Sequence, residues 1–116
     1  MDKTLAELAH EVEAAFVLGD DLADRVMDEI QKHSDDLEIG RGQLESTDSV
    51  LALIYAIRPG WTLSMEGIAR LPNGHWRCSL RRSATRDDDA YLGIGRGPTL
   101  PHALLAALLN ALAFAS

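Results

Sequence analysis

Three glycines at alternate positions, Gly93, Gly95 and Gly97, stand just ahead of a helix start at Thr99, with Arg96 among them. A glycine-bearing turn that opens a helix can cradle a phosphate, because the first amides of a helix have no internal partner. A dinucleotide fingerprint would also need a βαβ unit and an acidic residue about 20 positions further on. No acid follows Gly97, and no P-loop lysine does either. The geometric reading remains: a twisted edge strand ending in a tight turn.

The other reactive side chains are as sparsely arranged. His10-Glu11-Val12-Glu13 lacks the second histidine four residues on that a helical zinc site requires. His33, His75 and His102 are scattered, and the lone Cys78 can build neither a thiolate metal site nor an internal disulfide. Asp20, Asp21, Asp24 and Asp28 do not alternate around a glycine as a calcium loop does, and fit a solvated, capped helix face. Asp87-Asp88-Asp89 reads as local counter-charge for Arg81, Arg82 and Arg86. Cys78 alternates with Trp76 and Leu80, which predicts a buried small hydrophobe rather than a nucleophile. No carboxylate is placed by sequence to orient His75 or His102 as a base. The expectation is a protein without catalytic residues, metal or cofactor.

The elements that would carry these residues follow from hydrophobic period. Leu5, Leu8, Ala9, Val12, Ala15 and Phe16 recur at helical spacing and predict a first helix ending near Leu18-Gly19. Asp20 and Asp21 are placed to cap a second, buried through Leu22, Val26, Met27 and Ile30. Ser34 to Glu45 is polar, has no period and reads as a loop. Ser46-Thr47-Asp48 opens a third helix with Val50, Leu53, Ile54 and Ile57 on one face, and Pro59-Gly60 stops it.

Beyond Gly60 the period changes to two. Trp61, Leu63 and Met65 alternate with polar residues; Leu71-Pro72-Asn73-Gly74 marks a turn; Trp76, Cys78 and Leu80 alternate again. A third strand runs through Tyr91, Leu92 and Ile94. The predicted buried face carries Trp61, Leu63, Met65, Trp76, Cys78, Leu80, Leu92 and Ile94. Thr99 then caps a last helix, with Pro101 in its first turn. From Leu100 to Phe114 that helix has no formally charged side chain, and Asn110 stands almost alone among apolar residues. It is too short to cross a bilayer, which takes about 20 apolar residues. Something must cover it all round, so it is the centre of a small core or half of an interface with a second copy. The predicted stripe of Leu104, Ala107, Leu108 and Ala111 faces Trp61, Trp76 and Leu80. The row Leu105, Leu109 and Leu112 awaits cover from the first helix or from a homodimer partner, of which the dimer is the expectation.

The fold class expected is α+β: an N-terminal acidic helical hairpin with linker over 1–45, then an α-β-β-β-α core over 46–116 with an antiparallel three-stranded meander. Together they form one compact domain. The net charge of −7 hides a division. Before Val50, fourteen acids face four cations; from Val50 onward, seven arginines face four acids. Such a split suits mutual packing of the two halves, or two surfaces with different partners. The N-terminal residues lack both the basic region and the apolar run of a signal peptide, which points to a cytoplasmic protein without a membrane partner.

The order α-β-β-β-α, with a small-residue helix after a glycine-bearing turn, resembles the double-stranded-RNA-binding domain. That family grips phosphates with lysines at the start of its last helix. The matching positions here are Thr99, Leu100, Pro101 and His102, so the resemblance brings a topology without its cations. Nucleic acid is therefore an alternative partner only, through His75, Arg77, Arg81, Arg82 and Arg96.

A second resemblance covers about Asp48 to Ala113. Asp48-Ser49-Val50-Leu51-Ala52-Leu53 running to Pro59-Gly60-Trp61, then Gly97-Pro98-Thr99 leading into Ala103-Leu104-Leu105-Ala106-Ala107-Leu108-Leu109, is similar to small phage and prophage proteins of the phage ABA sandwich domain. Leu100 between Thr99 and Pro101 departs from that group's Thr-Pro-Ala form. The resemblance implies helices sandwiching a sheet and brings no catalytic residues. The function expected is a phage-derived accessory protein that binds another protein. Asp20, Asp21, Asp24, Asp28, Asp35 and Asp36 are the candidate contacts. An inhibitor of host defence, such as an anti-CRISPR protein, could use such acids to mimic a nucleic-acid backbone. A structural dimer without a ligand is the remaining alternative.

Overall fold

The computed structural model describes residues 3–15, 19–33, 40–44, 46–57, 61–67, 76–81 and 93–115, the side chains at 41, 43, 114 and 115 excepted. The chain runs α1 (Lys3–Ala14), α2 (Asp20–Gln31), a 3-10 turn (Arg41–Leu44), α3 (Thr47–Ile57), β1 (Thr62–Gly67), β2 (Trp76–Arg81), β3 (Gly93–Gly97) and α4 (Leu100–Ala115). The three strands form one antiparallel sheet in the order β1-β2-β3. This is the expected α+β class and element order.

Helix α4 is the centre of the molecule. One side of it lies on β3 and β2, and the other receives α1 and α3, with α2 outside α1. Every described side chain from His102 to Ala113 is buried except Asn110, which is half-buried. Leu105, Leu109 and Leu112 are fully covered within the single chain. Their burial removes the reason to expect a homodimer through this helix, since its apolar surface already has an owner. Leu5, Leu8, Ala9 and Val12 of α1 are buried as their spacing predicts.

Capping explains where the helices begin. Ser46 caps α3: its Oγ accepts the Ser49 N–H at 3.2 Å and its carbonyl the Val50 N–H at 3.1 Å. Thr99 caps α4 as expected, accepting the His102 N–H on Oγ1 at 3.4 Å and the Ala103 N–H on its carbonyl at 3.1 Å. α2 departs from expectation. Its cap is Gly19, with extended backbone and no side-chain bond, so Asp20 and Asp21 sit inside the first turn. There they still favour the positive end of the helix dipole.

Other differences are also physical. α1 ends at Ala14, short of the predicted Leu18, and Phe16 lies outside the described residues. Leu44, read as loop, is buried in the core from the 3-10 turn. Met65 is 46 % exposed rather than buried, because α4 does not reach across to β1. Trp61, Leu63 and Trp76 are half-buried, packed against the core's margin.

The largest correction is the face of β3. The buried residues are Gly93, Gly95 and Gly97; Ile94 points to the other side, and Tyr91 and Leu92 lie outside the described residues. The glycines are not a turn but the floor on which α4 rests. A Cβ at Gly93 would sit 2.5 Å from the Ala107 carbonyl oxygen and 2.7 Å from the Ala111 Cβ. One at Gly95 would collide with the Ala107 nitrogen and the Ala103 carbonyl. Ala103, Ala107 and Ala111, four apart on one stripe of α4, therefore meet three glycines two apart on β3. Backbone touches backbone along this seam. The predicted stripe of Leu104, Ala107, Leu108 and Ala111 is buried, and Ala107 and Ala111 within it meet Gly95 and Gly93 of β3.

Candidate functional site

The acidic and basic side chains are carried by different elements, α2 and the sheet. α1 and α2 form the outermost helical layer, and α2 buries Ala23, Val26 and Ile30 beneath them. That leaves Asp20, Asp21, Asp24 and Asp28 on the solvent side of α2, all exposed. Asp20, Asp24 and Asp28 follow one another at intervals of four and so share a stripe. Asp35 and Asp36 lie outside the described residues.

A strap holds this helix to α1. The Arg25 guanidinium donates to both carboxylate oxygens of Glu11, at 2.8 and 2.9 Å, and its Nε lies 3.2 Å from Asp21. The paired hydrogen bonds lower the Glu11 pKa and raise that of Arg25. Lys32 donates to Glu29 at 3.0 Å. Between the two helices runs a groove of about 550 Å³ lined by Glu7, Leu8, Glu11, Arg25, Asp28 and Lys32, among others. The sequence signals α2's stripe and the i,i+3 pair of Lys32 with Glu29. It carries no local signal for Glu11 with Arg25, which meet only because the hairpin closes.

The sheet supplies the second charged surface. Strand alternation puts Arg77, Ser79 and Arg81 of β2, and Ile94 and Arg96 of β3, on the face turned away from α4. Register aligns them in rows: Glu66, Arg77 and Arg96 in one; Ser64, Ser79 and Ile94 in the next; Thr62 and Arg81 in the third. Arg77 and Arg96 are exposed and Arg81 is half-buried. His75 and Arg82 lie outside the described residues.

The free edge of β3 is closed by two side chains that the sequence reading missed. Glu13 of α1 accepts the Arg96 backbone N–H at 2.9 Å, and Asn110 of α4 donates to the Ile94 carbonyl at 2.6 Å. Asn110 is thus the polar exception that the apolar helix needs, since an edge carbonyl beside a core requires a donor. At the start of α4, Thr99 Oγ1 lies 2.5 Å from His102 Nδ1, while His102 Nε2 is buried with no hydrogen-bond partner among the described residues. Burial lowers the His102 pKa, which keeps the ring neutral at pH 7. Burial also pushes the Cys78 thiol up to about 11, far from the range of a thiolate nucleophile.

Among the described residues no group of three or more His, Cys, Asp or Glu side chains could hold a metal ion, and no helix is long and apolar enough to cross a membrane. Comparison with protein-family models, with curated proteins and with solved structures finds no match.

Proposed function

We propose that this chain is a phage-derived, non-catalytic accessory protein that acts by binding another, basic protein through the exposed stripe of α2. The observation that carries this reading is the strap of Arg25 to Glu11 and Asp21. It consumes part of the local charge to fix α2 on α1, and leaves Asp24 and Asp28 turned outward on a rigid helix. Residues four apart on a helix rise about 6 Å. That interval is close to the axial advance of two nucleotides along one DNA strand, about 7 Å. A stripe of this kind suits a groove built for a nucleic-acid backbone, which is the form an inhibitor of host defence would take. The phage origin rests on the motifs at 48–61 and 97–109 and on the small α+β architecture.

The test is capture of partners from a bacterial host lysate by the wild type and by the triple variant Asp20→Asn, Asp24→Asn, Asp28→Asn, at low and high salt. Three exposed charges at about 0.5 kcal/mol each compound to about a tenfold loss of capture. Screening at high salt should weaken the wild type as well. A partner retained equally by the variant and at high salt would rule out the α2 stripe.

A further inference from the structure

We infer that the outer face of the sheet is a second binding surface, one that takes the phosphodiester backbone of a nucleic acid between Arg77 and Arg96. The two arginines are direct cross-strand partners on adjacent strands. The Arg96 N–H is turned out to Glu13, away from β2, which makes Arg77 and Arg96 a non-hydrogen-bonded pair. Side chains of such pairs stand closest together, with Cα atoms about 4.5 Å apart against about 5.5 Å for the alternate kind. By the same alternation, Arg77 and Glu66 are the wider pair. Arg77 is therefore set nearer to a like charge than to the opposite one.

Like charges placed directly opposite destabilise a sheet. Nothing in the described structure relieves this pair: neither Arg77 nor the Arg96 guanidinium is in ion-pair range of a described carboxylate. Two cations of the helical layer behave otherwise: Arg25 is paired with Glu11 and Asp21, and Lys32 with Glu29. A phosphate lying over the row would neutralise both guanidinium groups at once, with a planar fork on each side of it.

The rest of the face extends the site. Ser79 and Ser64 bring hydroxyls to the next row, and Arg81 stands at the far end of β2. At about 3.3 Å per residue, Arg77 and Arg81 are about 13 Å apart, which spans more than one phosphate. No aromatic side chain of the three strands lies on this face, so it offers no stacking platform for bases. Contacts to backbone alone give binding that ignores sequence. The acidic α2 packs on α1 and the 3-10 turn and not on the sheet, and solvent-exposed charges more than about 8 Å apart are largely screened at physiological salt. Among the described residues two carboxylates flank the row, Glu66 opposite Arg77 on β1 and Glu13 beyond the β3 edge, and the Glu13 oxygen is held by the Arg96 backbone.

The experiment is fluorescence anisotropy of labelled 20-nucleotide DNA and RNA, single-stranded and duplex, titrated with the full chain to about 100 μM, the weak end of sequence-independent affinity. Binding with two to three phosphate contacts should fall about 10- to 40-fold between 50 and 200 mM salt. Arg77→Gln and Arg96→Gln should each lower the salt slope by about 1, and the double variant should abolish binding. Arg77→Lys with Arg96→Lys, which keeps the charge and loses the forks, should bind at an intermediate level. Asp24→Asn with Asp28→Asn should leave binding intact, which separates this face from the α2 stripe. Unfolding curves matching the wild type would show that the arginine variants are folded. Absence of binding at 50 mM salt, binding unchanged in a folded double variant, or capture of heparin but of no nucleic acid would each overturn the inference.

Discussion

The two edge strands of the sheet, β3 and β1, solve opposite problems with similar backbones. β3 carries glycine at every core-facing position, lies under α4 and has its outer edge closed by Glu13 and Asn110. β1 carries Leu63, Met65 and Gly67 at the aligned positions, and α4 does not extend over it. Its second half, from Ser64 to Gly67, is exposed. The comparison teaches that the glycines answer to the helix and not to the strand. A helix packed at ordinary distance tolerates side chains beneath it; one packed backbone to backbone excludes even a methyl group. On β1, where no helix arrives, ordinary strand residues return.

Substituting a glycine on each edge strand should separate β3 from β1 by the largest margin. Gly95→Ala should cost about 3 kcal/mol, at the upper end for overpacking, because its Cβ meets main-chain atoms of α4 that cannot rotate away. For a chain of 116 residues such a loss lowers the melting temperature by roughly 12 °C. Gly67→Ala should cost less than about 1 kcal/mol. Its nearest obstacle is the Trp76 ring, 2.7 Å from the added Cβ, at the exposed end of β1 where a side chain can give way. Equal melting temperatures for the two variants would show that α4 is not seated on β3.

Next in size is the closure of the β3 edge. Asn110→Ala leaves the Ile94 carbonyl without its donor and should cost about 1–3 kcal/mol, read from denaturant unfolding. Amide exchange should speed up most in β3 and in the adjoining part of α4. Uniform exchange across the sheet would place the effect elsewhere. The smallest effect belongs to β1, where Met65→Thr should stay within about 0.5 kcal/mol of the wild type by the same measurement. A larger loss would mean that this strand has a cover of its own.

Much of the architecture was legible in advance, for reasons that differ by element. α1, α3 and α4 follow from period and caps because their buried stripes and start signals are local. Cys78 and Leu80 follow from alternation on a strand whose neighbours cover it. β3 misleads because glycine has no hydropathy signal of its own, so Ile94 draws the buried face to the wrong side. Met65 misleads in the reverse way, since alternation reports a face and not whether a helix arrives to cover it. Of the site residues, α2's carboxylates were visible as a stripe. The alignment of Arg77 with Arg96 depends on register, which no single strand's sequence contains.

The central position of α4 has a kinetic consequence. Its two sides are covered by β3 and by α1, so the first and last elements in chain order must meet before either is shielded from water. Closing so long a loop is entropically costly, and its reward comes only when the distant partner arrives. Contacts of that range place folding between the fast regime of helical bundles and the slower one of all-β domains. They also tie the layers into one cooperative event. Without α4 the α1–α2 hairpin keeps Leu5 and Leu8 in water, and without α1 the leucines of α4 lose their cover. Of the two acidic helices it is α1 that joins these long-range contacts, to α4 and β3, and α2 is attached through α1 and the 3-10 turn.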